Sequence, residues 1–165
     1  MKPHILFLIF SILQNVILYG QVNHRKSFQV VLEHDEVGKE ISFGRSKQNN
    51  YDSLVLVYLG DIKTKKGQYL KILTSRWYWG LSPRATNRTI VFNQKNQYLG
   101  DYYLTMTHDV PDKIEESSLV FINNNESDCT PSLITKVSFK MGIPKKFFLK
   151  CRGHSGDNYS FAQNL

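Results

Sequence analysis

An aromatic and basic group spans residues 76–88 and is the part of the sequence best suited to bind a ligand. Aromatic rings stack on sugars and bases, and guanidinium groups bind anions through paired hydrogen bonds. We therefore predict a binding site formed by Arg76, Trp79, Arg84 and Arg88. The alternative is that the tryptophans belong to the core while the arginines lie on the flanking surface. We expect Trp77 to be a core residue and Trp79, which lies beside a loop, to be partly exposed.

A second group, within residues 101–116, has the side-chain types that acid–base catalysis uses. It consists of His108, Asp109, Asp112, Glu115 and Glu116. The two carboxylates of a glycosidase meet only in space, so such a pair would not be visible in a sequence. Residues 153–156 read Gly-His-Ser-Gly, but a nucleophile elbow would require glycine where Asp157 stands. We assign no catalytic residue, and a hydrolase that uses residues 101–116 is the alternative function.

Potential metal ligands are also present, but their spacing matches no known metal motif. They are His34, Asp35, Glu36, His108 and Asp109. Zinc sites and calcium loops place their ligands at characteristic intervals, which these residues do not follow. We therefore expect no metal ion and no cofactor.

The candidate binding group depends on one strand, residues 69–80, which we predict to be central in a sheet. Side chains in a strand alternate between its two faces. One face would carry Tyr69, Leu73, Trp77 and Trp79, and the other Leu70, Ile72 and Tyr78. Both sets are largely apolar, which favours a strand that is covered on both sides.

The beginning of the chain has the pattern of a secretory signal peptide. Lys2 gives it a basic start, an apolar run follows from Ile5, and the small residue Gly20 precedes Gln21. We predict a signal peptide over residues 1–20 and a secreted or periplasmic protein. The apolar run is short for a membrane span, so we expect no transmembrane segment after cleavage; a retained N-terminal anchor is the alternative.

The protein is basic, with 21 Lys and Arg against 14 Asp and Glu and a formal net charge of +7. Most of this charge is expected to lie on solvated faces. A basic surface can also attract an anionic partner, although charge by itself is not specific. A protein or an anionic glycan is the partner that we expect, and nucleic acid is not expected.

Cys129 and Cys151 are the only two cysteines. An even number of cysteines in an exported chain indicates a disulfide bond. We predict that these two residues form one, with two buried free thiols as the alternative.

The remaining pattern consists of short apolar or alternating runs separated by turns. It predicts about eight or nine strands, a first strand at residues 28–32, a hairpin formed by residues 137–141 and 145–151, and one helical turn within 112–116. No helix of ten residues is predicted beyond the signal peptide. Gly100, inside a strand, predicts a bulge or a close backbone contact.

These elements predict an all-β, single-domain antiparallel β-sandwich, with a small β-barrel as the alternative. The domain would span residues 21–152, and residues 153–165 would form a loose polar C-terminal tail. The absence of a complete catalytic motif favours an exported, non-catalytic protein that binds a protein or a glycan at the cell envelope or outside the cell. The alternative is a hydrolase of envelope or extracellular polymers.

Overall fold

The computed structural model describes residues 24–44, 51–82, 84–123 and 129–163. The predicted signal peptide and its cleavage site lie outside these ranges. Helix α1 covers residues 24–34, and a 3-10 helix covers Thr107–Asp109. The strands are β1 (Glu40–Gly44), β2 (Tyr51–Lys63), β3 (Tyr69–Gly80), β4 (Arg84–Asn93), β5 (Tyr98–Leu104), β6 (Lys113–Glu115), β7 (Ser118–Ile122), β8 (Ile134–Ser138), β9 (Lys146–Arg152) and β10 (Ser155–Ala162).

The strands form two antiparallel sheets, which confirms the predicted all-β sandwich. The larger sheet has seven strands in the order β1-β2-β3-β4-β5-β10-β9, and the smaller has the order β6-β7-β8. Ten strands are therefore present among the described residues, rather than eight or nine. The larger sheet ends at β1 and β9 without closing, so the barrel alternative is wrong.

Apolar side chains cover the larger sheet on both faces. One core lies between the two sheets and includes Ile72, Tyr102 and Phe139. The other lies between the larger sheet and α1, and its buried residues include Leu56 and Leu73. The structure thus has three layers: α1, the seven-stranded sheet and the three-stranded sheet.

The prediction of a first strand at residues 28–32 is wrong, because these residues belong to α1. Val31 and Leu32 are buried, and Phe28 packs 6.1 Å from Phe92 of the sheet. Together with His24, these side chains follow the spacing i, i+4, i+7, i+8 of one helix face. Two adjacent valines favour a strand locally, but the need to cover an apolar sheet face outweighs that preference.

The predicted hairpin of residues 137–141 and 145–151 is also wrong. β8 pairs with β7 in the smaller sheet, whereas β9 pairs with β10 in the larger one. The segment between them, which includes Gly142, therefore carries the chain from one sheet to the other. The predicted helical turn within 112–116 is instead strand β6, and the short helix lies earlier, at Thr107–Asp109.

The loose tail predicted after Arg152 is wrong for residues 155–162. These residues form β10, an inner strand between β5 and β9. Tyr159 is buried, and the ring of Phe161 lies 5.1 Å from that of Tyr102. Both predictions for Gly100 are confirmed: the β4–β5 register shifts there, and a side chain would overlap the carbonyl of Ala162.

Cys129 and Cys151 form a disulfide bond, with their Cα atoms 4.5 Å apart. The backbone amide of Thr130 also donates to the carbonyl oxygen of Cys151 at 2.9 Å. The segment that follows β7 is therefore attached to the end of β9, and the bond links the two sheets.

Replacing both cysteines by serine should lower the free energy of unfolding by about 3 kcal/mol, because the bond restricts the unfolded chain. Urea unfolding of the variant and of the oxidised protein measures this difference. The oxidised protein should show no free thiol under denaturing, non-reducing conditions. Two titratable thiols, or equal stability, would contradict the assignment.

Candidate binding surface

Pairing between β3 and β4 aligns most of the predicted site on one face of the larger sheet. Trp79 is opposite Arg84, Trp77 is opposite Thr86, and Ser75 is opposite Arg88. Residues directly opposite each other in an antiparallel pair share a face. The next pairing places Tyr103 opposite Arg88 on the same face. We call the group Trp77, Trp79, Arg84, Arg88 and Tyr103 the Trp79 surface.

Arg76 lies on the other face of the sheet and does not join this group. Its partner on β4 is Asn87, and its guanidinium is 3.7 Å from the carboxylate of Glu40. The structure therefore brings three of the four predicted binding residues together and separates the fourth. This separation was predictable from the sequence, because neighbouring residues in a strand, such as Arg76 and Trp77, point to opposite faces.

The two tryptophans are both half-buried, so the expected burial of Trp77 in the core is wrong. The ring of Trp77 packs beside the core under α1, 4.8 Å from the ring of His24, and is 5.9 Å from the ring of Trp79. Each indole N–H has a partner at 3.1 Å: Asp52 for Trp77 and Thr86 for Trp79. These bonds fix the orientation of both rings.

Two arginines lie over aromatic rings of the surface but differ in their charge partners. The guanidinium of Arg84 is 5.6 Å from the centre of the Trp79 ring, and that of Arg88 is 5.5 Å from Tyr103. Arg88 also donates to both carboxylate oxygens of Asp101 at 2.8 Å. Arg84 is exposed and forms no ion pair with any described residue. Within the described residues, the Trp79 surface thus has one cation paired with a carboxylate, Arg88, and one without such a partner, Arg84.

Asp101, Tyr103 and His24 were not identified from the sequence as parts of this site. The side chain of Asp101 is only 4% exposed and also accepts a hydrogen bond from Tyr98. Residues 93–96 predict a hairpin turn between β4 and β5, and the pairing of the two strands confirms it. Tyr103 could nevertheless have been found only from the exact register, which places it opposite Arg88. His24 could have been found only by predicting that residues 24–34 form a helix.

The candidate catalytic residues have structural partners. One carboxylate oxygen of Asp109 accepts hydrogen bonds from the Tyr159 hydroxyl at 2.6 Å and from the Met106 amide at 3.0 Å. Burial is the main cause that raises the pKa of Tyr159, and the hydrogen bond to Asp109 adds to it. Asp112 accepts from the Ile122 amide at 2.7 Å. These two carboxylates therefore hold backbone segments in place.

Glu115 is neutralised by two lysines. Hydrogen bonds from Lys113 and Lys136, at 2.7 and 2.8 Å, lower the pKa of Glu115 to about 2. Among the residues that the structure describes, no group of three or more His, Cys, Asp or Glu side chains is arranged to hold a metal ion.

A cavity of about 220 Å³ lies between the sheets, beside the disulfide. His108, Asp109 and Asp157 contribute polar groups to its wall, and the rest of the wall includes Phe121 and Leu149. The Nε2 atom of His108 is 3.7 Å from the free oxygen of Asp109. The cavity could admit a small polar group, and its lining includes the titratable side chains of His108, Lys150 and Asp157.

Comparison with known proteins identifies no relative. No protein-family model, no curated protein and no solved structure matches this chain. In the described ranges, no helix is long and apolar enough to cross a membrane.

Protonation of His24 should weaken the packing of α1 against Trp77. Burial is the main cause that lowers the pKa of His24; the charge of Asp52 raises it, and that of Arg88 lowers it. A lowered pKa means that the unfolded chain binds the proton more tightly. The stabilisation by neutral His24 is therefore complete above about pH 6.5 and is lost as the pH falls through the lowered value.

Unfolding followed by tryptophan fluorescence at pH 7.5 and pH 5 measures this effect. The wild type should lose more stability on acidification than the His24→Gln variant, which cannot gain this charge. An equal loss in both proteins would show that His24 is not responsible.

Proposed function

We propose that this chain is an exported, non-catalytic binding protein of the cell envelope or extracellular space, and that its partner is an anionic glycan. The observation that carries the proposal is the alignment of Trp79, Arg84, Arg88 and Tyr103 on one partly exposed sheet face. Export rests on the sequence pattern of residues 1–20, and an oxidising compartment is compatible with the disulfide.

The rigidity of the Trp79 surface supports a binding role. The rings lie on paired strands, and the indole N–H bonds to Asp52 and Thr86 hold them in place. Side chains that are ordered before binding lose little conformational entropy when a ligand arrives. Half-exposed aromatic rings offer flat apolar faces, which suit the apolar faces of sugar rings.

The charges of the surface favour an acidic ligand over a neutral one. Arg88 is already hydrogen-bonded to Asp101, whereas Arg84 keeps its guanidinium donors available among the described residues. A guanidinium binds a carboxylate or a sulfate through two parallel hydrogen bonds. An acidic sugar on this surface would place its ring against Trp79 and its anionic group against Arg84.

Tryptophan fluorescence should report this binding directly, because the protein has two tryptophans and both belong to the surface. Carboxylated and sulfated oligosaccharides should change the emission, and uncharged forms of the same chains should bind more weakly. The Arg84→Ala variant should lose about ten-fold in affinity, as expected for one charge-assisted pair.

Arg76→Ala is the matched control, since it removes an arginine from the opposite face of the same sheet. It should leave the affinity unchanged. Equal binding of charged and uncharged oligosaccharides, or equal losses in the two variants, would contradict the proposal. If none of the oligosaccharides binds, a protein partner is the alternative. The exposed side chain of Leu81, beside this surface, is suited to contact such a partner.

A hydrolase is the second candidate function, and the cavity beside the disulfide favours it. His108 would act as the base that activates water, and Asp109 would orient the imidazole ring. Against this, one oxygen of Asp109 already accepts two hydrogen bonds that hold local structure. The cavity also lies on the opposite side of the larger sheet from the Trp79 surface.

Release of reducing ends from acidic polysaccharides tests the hydrolase directly. If this function is correct, the wild type should be active and His108→Ala should lose nearly all activity while retaining its melting temperature. Inactivity of the wild type on the polysaccharides that it binds would support the non-catalytic function.

A further inference from the structure

Five lysines from neighbouring turns lie at the end of the sandwich where β2 ends and β3 begins. They are Lys63, Lys65, Lys66, Lys95 and Lys140. We call this group the lysine end. β3 begins there at Tyr69, and the Trp79 surface lies along its second half, from Ser75, which is opposite Arg88, to Trp79. About 20 Å of extended strand therefore separates the two surfaces.

Backbone contacts hold the turns of the lysine end together. The amide of Lys65 donates to the carbonyl oxygen of Lys140 at 2.7 Å, which joins the β2–β3 turn to the segment after β8. Pairing of Leu70 with Asn93 places the β4–β5 turn, which carries Lys95, beside them.

The positive charge of the lysine end is largely uncompensated. All five lysines are exposed, and none forms an ion pair with a described residue. Asp61 and Glu116, the described carboxylates nearest to these turns in sequence, form no ion pair with any of these lysines. Glu115 does not compensate the group, because Lys113 and Lys136 already neutralise it.

An apolar side chain projects from the same end. Met141 lies in a turn closed by the hydrogen bond from the Gly142 amide to the Phe139 carbonyl, and the positive φ of Gly142, 121°, permits this turn. Met141 is 66% exposed and directly follows Lys140 in the sequence. It therefore adds an exposed apolar side chain to this basic group.

We propose that the lysine end docks on an anionic lipid surface, with Met141 entering the interface between headgroups and acyl chains. Lysines close to such a surface each contribute to binding, and the contribution does not require a fixed geometry. The lysine end contains no arginine, the residue suited to bidentate recognition of individual groups on a polymer. An apolar tip among cations fits a lipid interface better than a soluble polyanion, which offers Met141 no apolar environment.

Docking in this way would direct the Trp79 surface away from the lipid. The inference does not depend on the glycan-binding proposal, since the two surfaces share no residue. Loss of lipid binding and loss of glycan binding are therefore separable in variants of each surface.

Vesicle co-sedimentation of residues 21–165 tests the inference. Vesicles with 30% anionic lipid should bind the protein, purely zwitterionic vesicles should not, and the affinity should fall as salt is added. The variant Lys65→Glu/Lys66→Glu should bind roughly 30-fold more weakly. Met141→Ser, which changes no charge, should bind roughly ten-fold more weakly.

The matched control is Lys150→Glu/Arg152→Glu, which makes the same change in net charge at the end of β9, outside the lysine end. It should retain vesicle binding, and melting temperatures should verify that all variants are folded. Equal losses in both double variants would overturn the inference in favour of a net-charge effect. Absence of vesicle binding would overturn the inference. If Met141→Ser leaves vesicle binding unchanged and soluble polyanions compete fully, the inference is overturned in favour of a soluble polyanion.

Discussion

The alternation of side chains along β3, a strand buried on both faces, is the constraint on which the rest of the structure depends. Leu70 and Ile72 enter the core between the sheets, and Leu73 enters the core under α1. A shift of one residue in the pairing of β3 would exchange these faces and expose both sets. The same alternation determines that Arg76 and Trp79 cannot serve one ligand together.

Features with a local chemical cause could be predicted from the sequence, whereas pairings between distant segments could not. The β-rich pattern and the bulge at Gly100 follow from nearby residue types, and the disulfide follows from the presence of only two cysteines in the sequence. The partner of β8 did not, because residues 134–138 alternate in the same way whether they pair with β7 or with β9. Helix α1 was not predicted for a related reason: it is stabilised mainly by packing its apolar face against the larger sheet, and the sequence alone does not show that contact.

The candidate binding surface could likewise be predicted only in part. Trp79, Arg84 and Arg88 could be selected by residue type, since aromatic and guanidinium groups are recognisable without a structure. Tyr103 and Asp101 join them only through the β4–β5 register. Asp101 matters most among these, because a buried carboxylate requires a cation, and this requirement fixes the position of Arg88.

Charged side chains that the fold requires have partners, whereas some exposed charged side chains that the fold does not require have none among the described residues. Buried or structural carboxylates have partners: Asp101 has Arg88, and Asp109 has Tyr159. The exposed Arg84 and the five lysines of the lysine end have no such partner among the described residues. Like charges held close together destabilise the folded state, so folding by itself favours dispersing them. The fold therefore gives no reason of its own for grouping lysines at the start of β3, and this grouping is the observation behind the proposal of an anionic partner there.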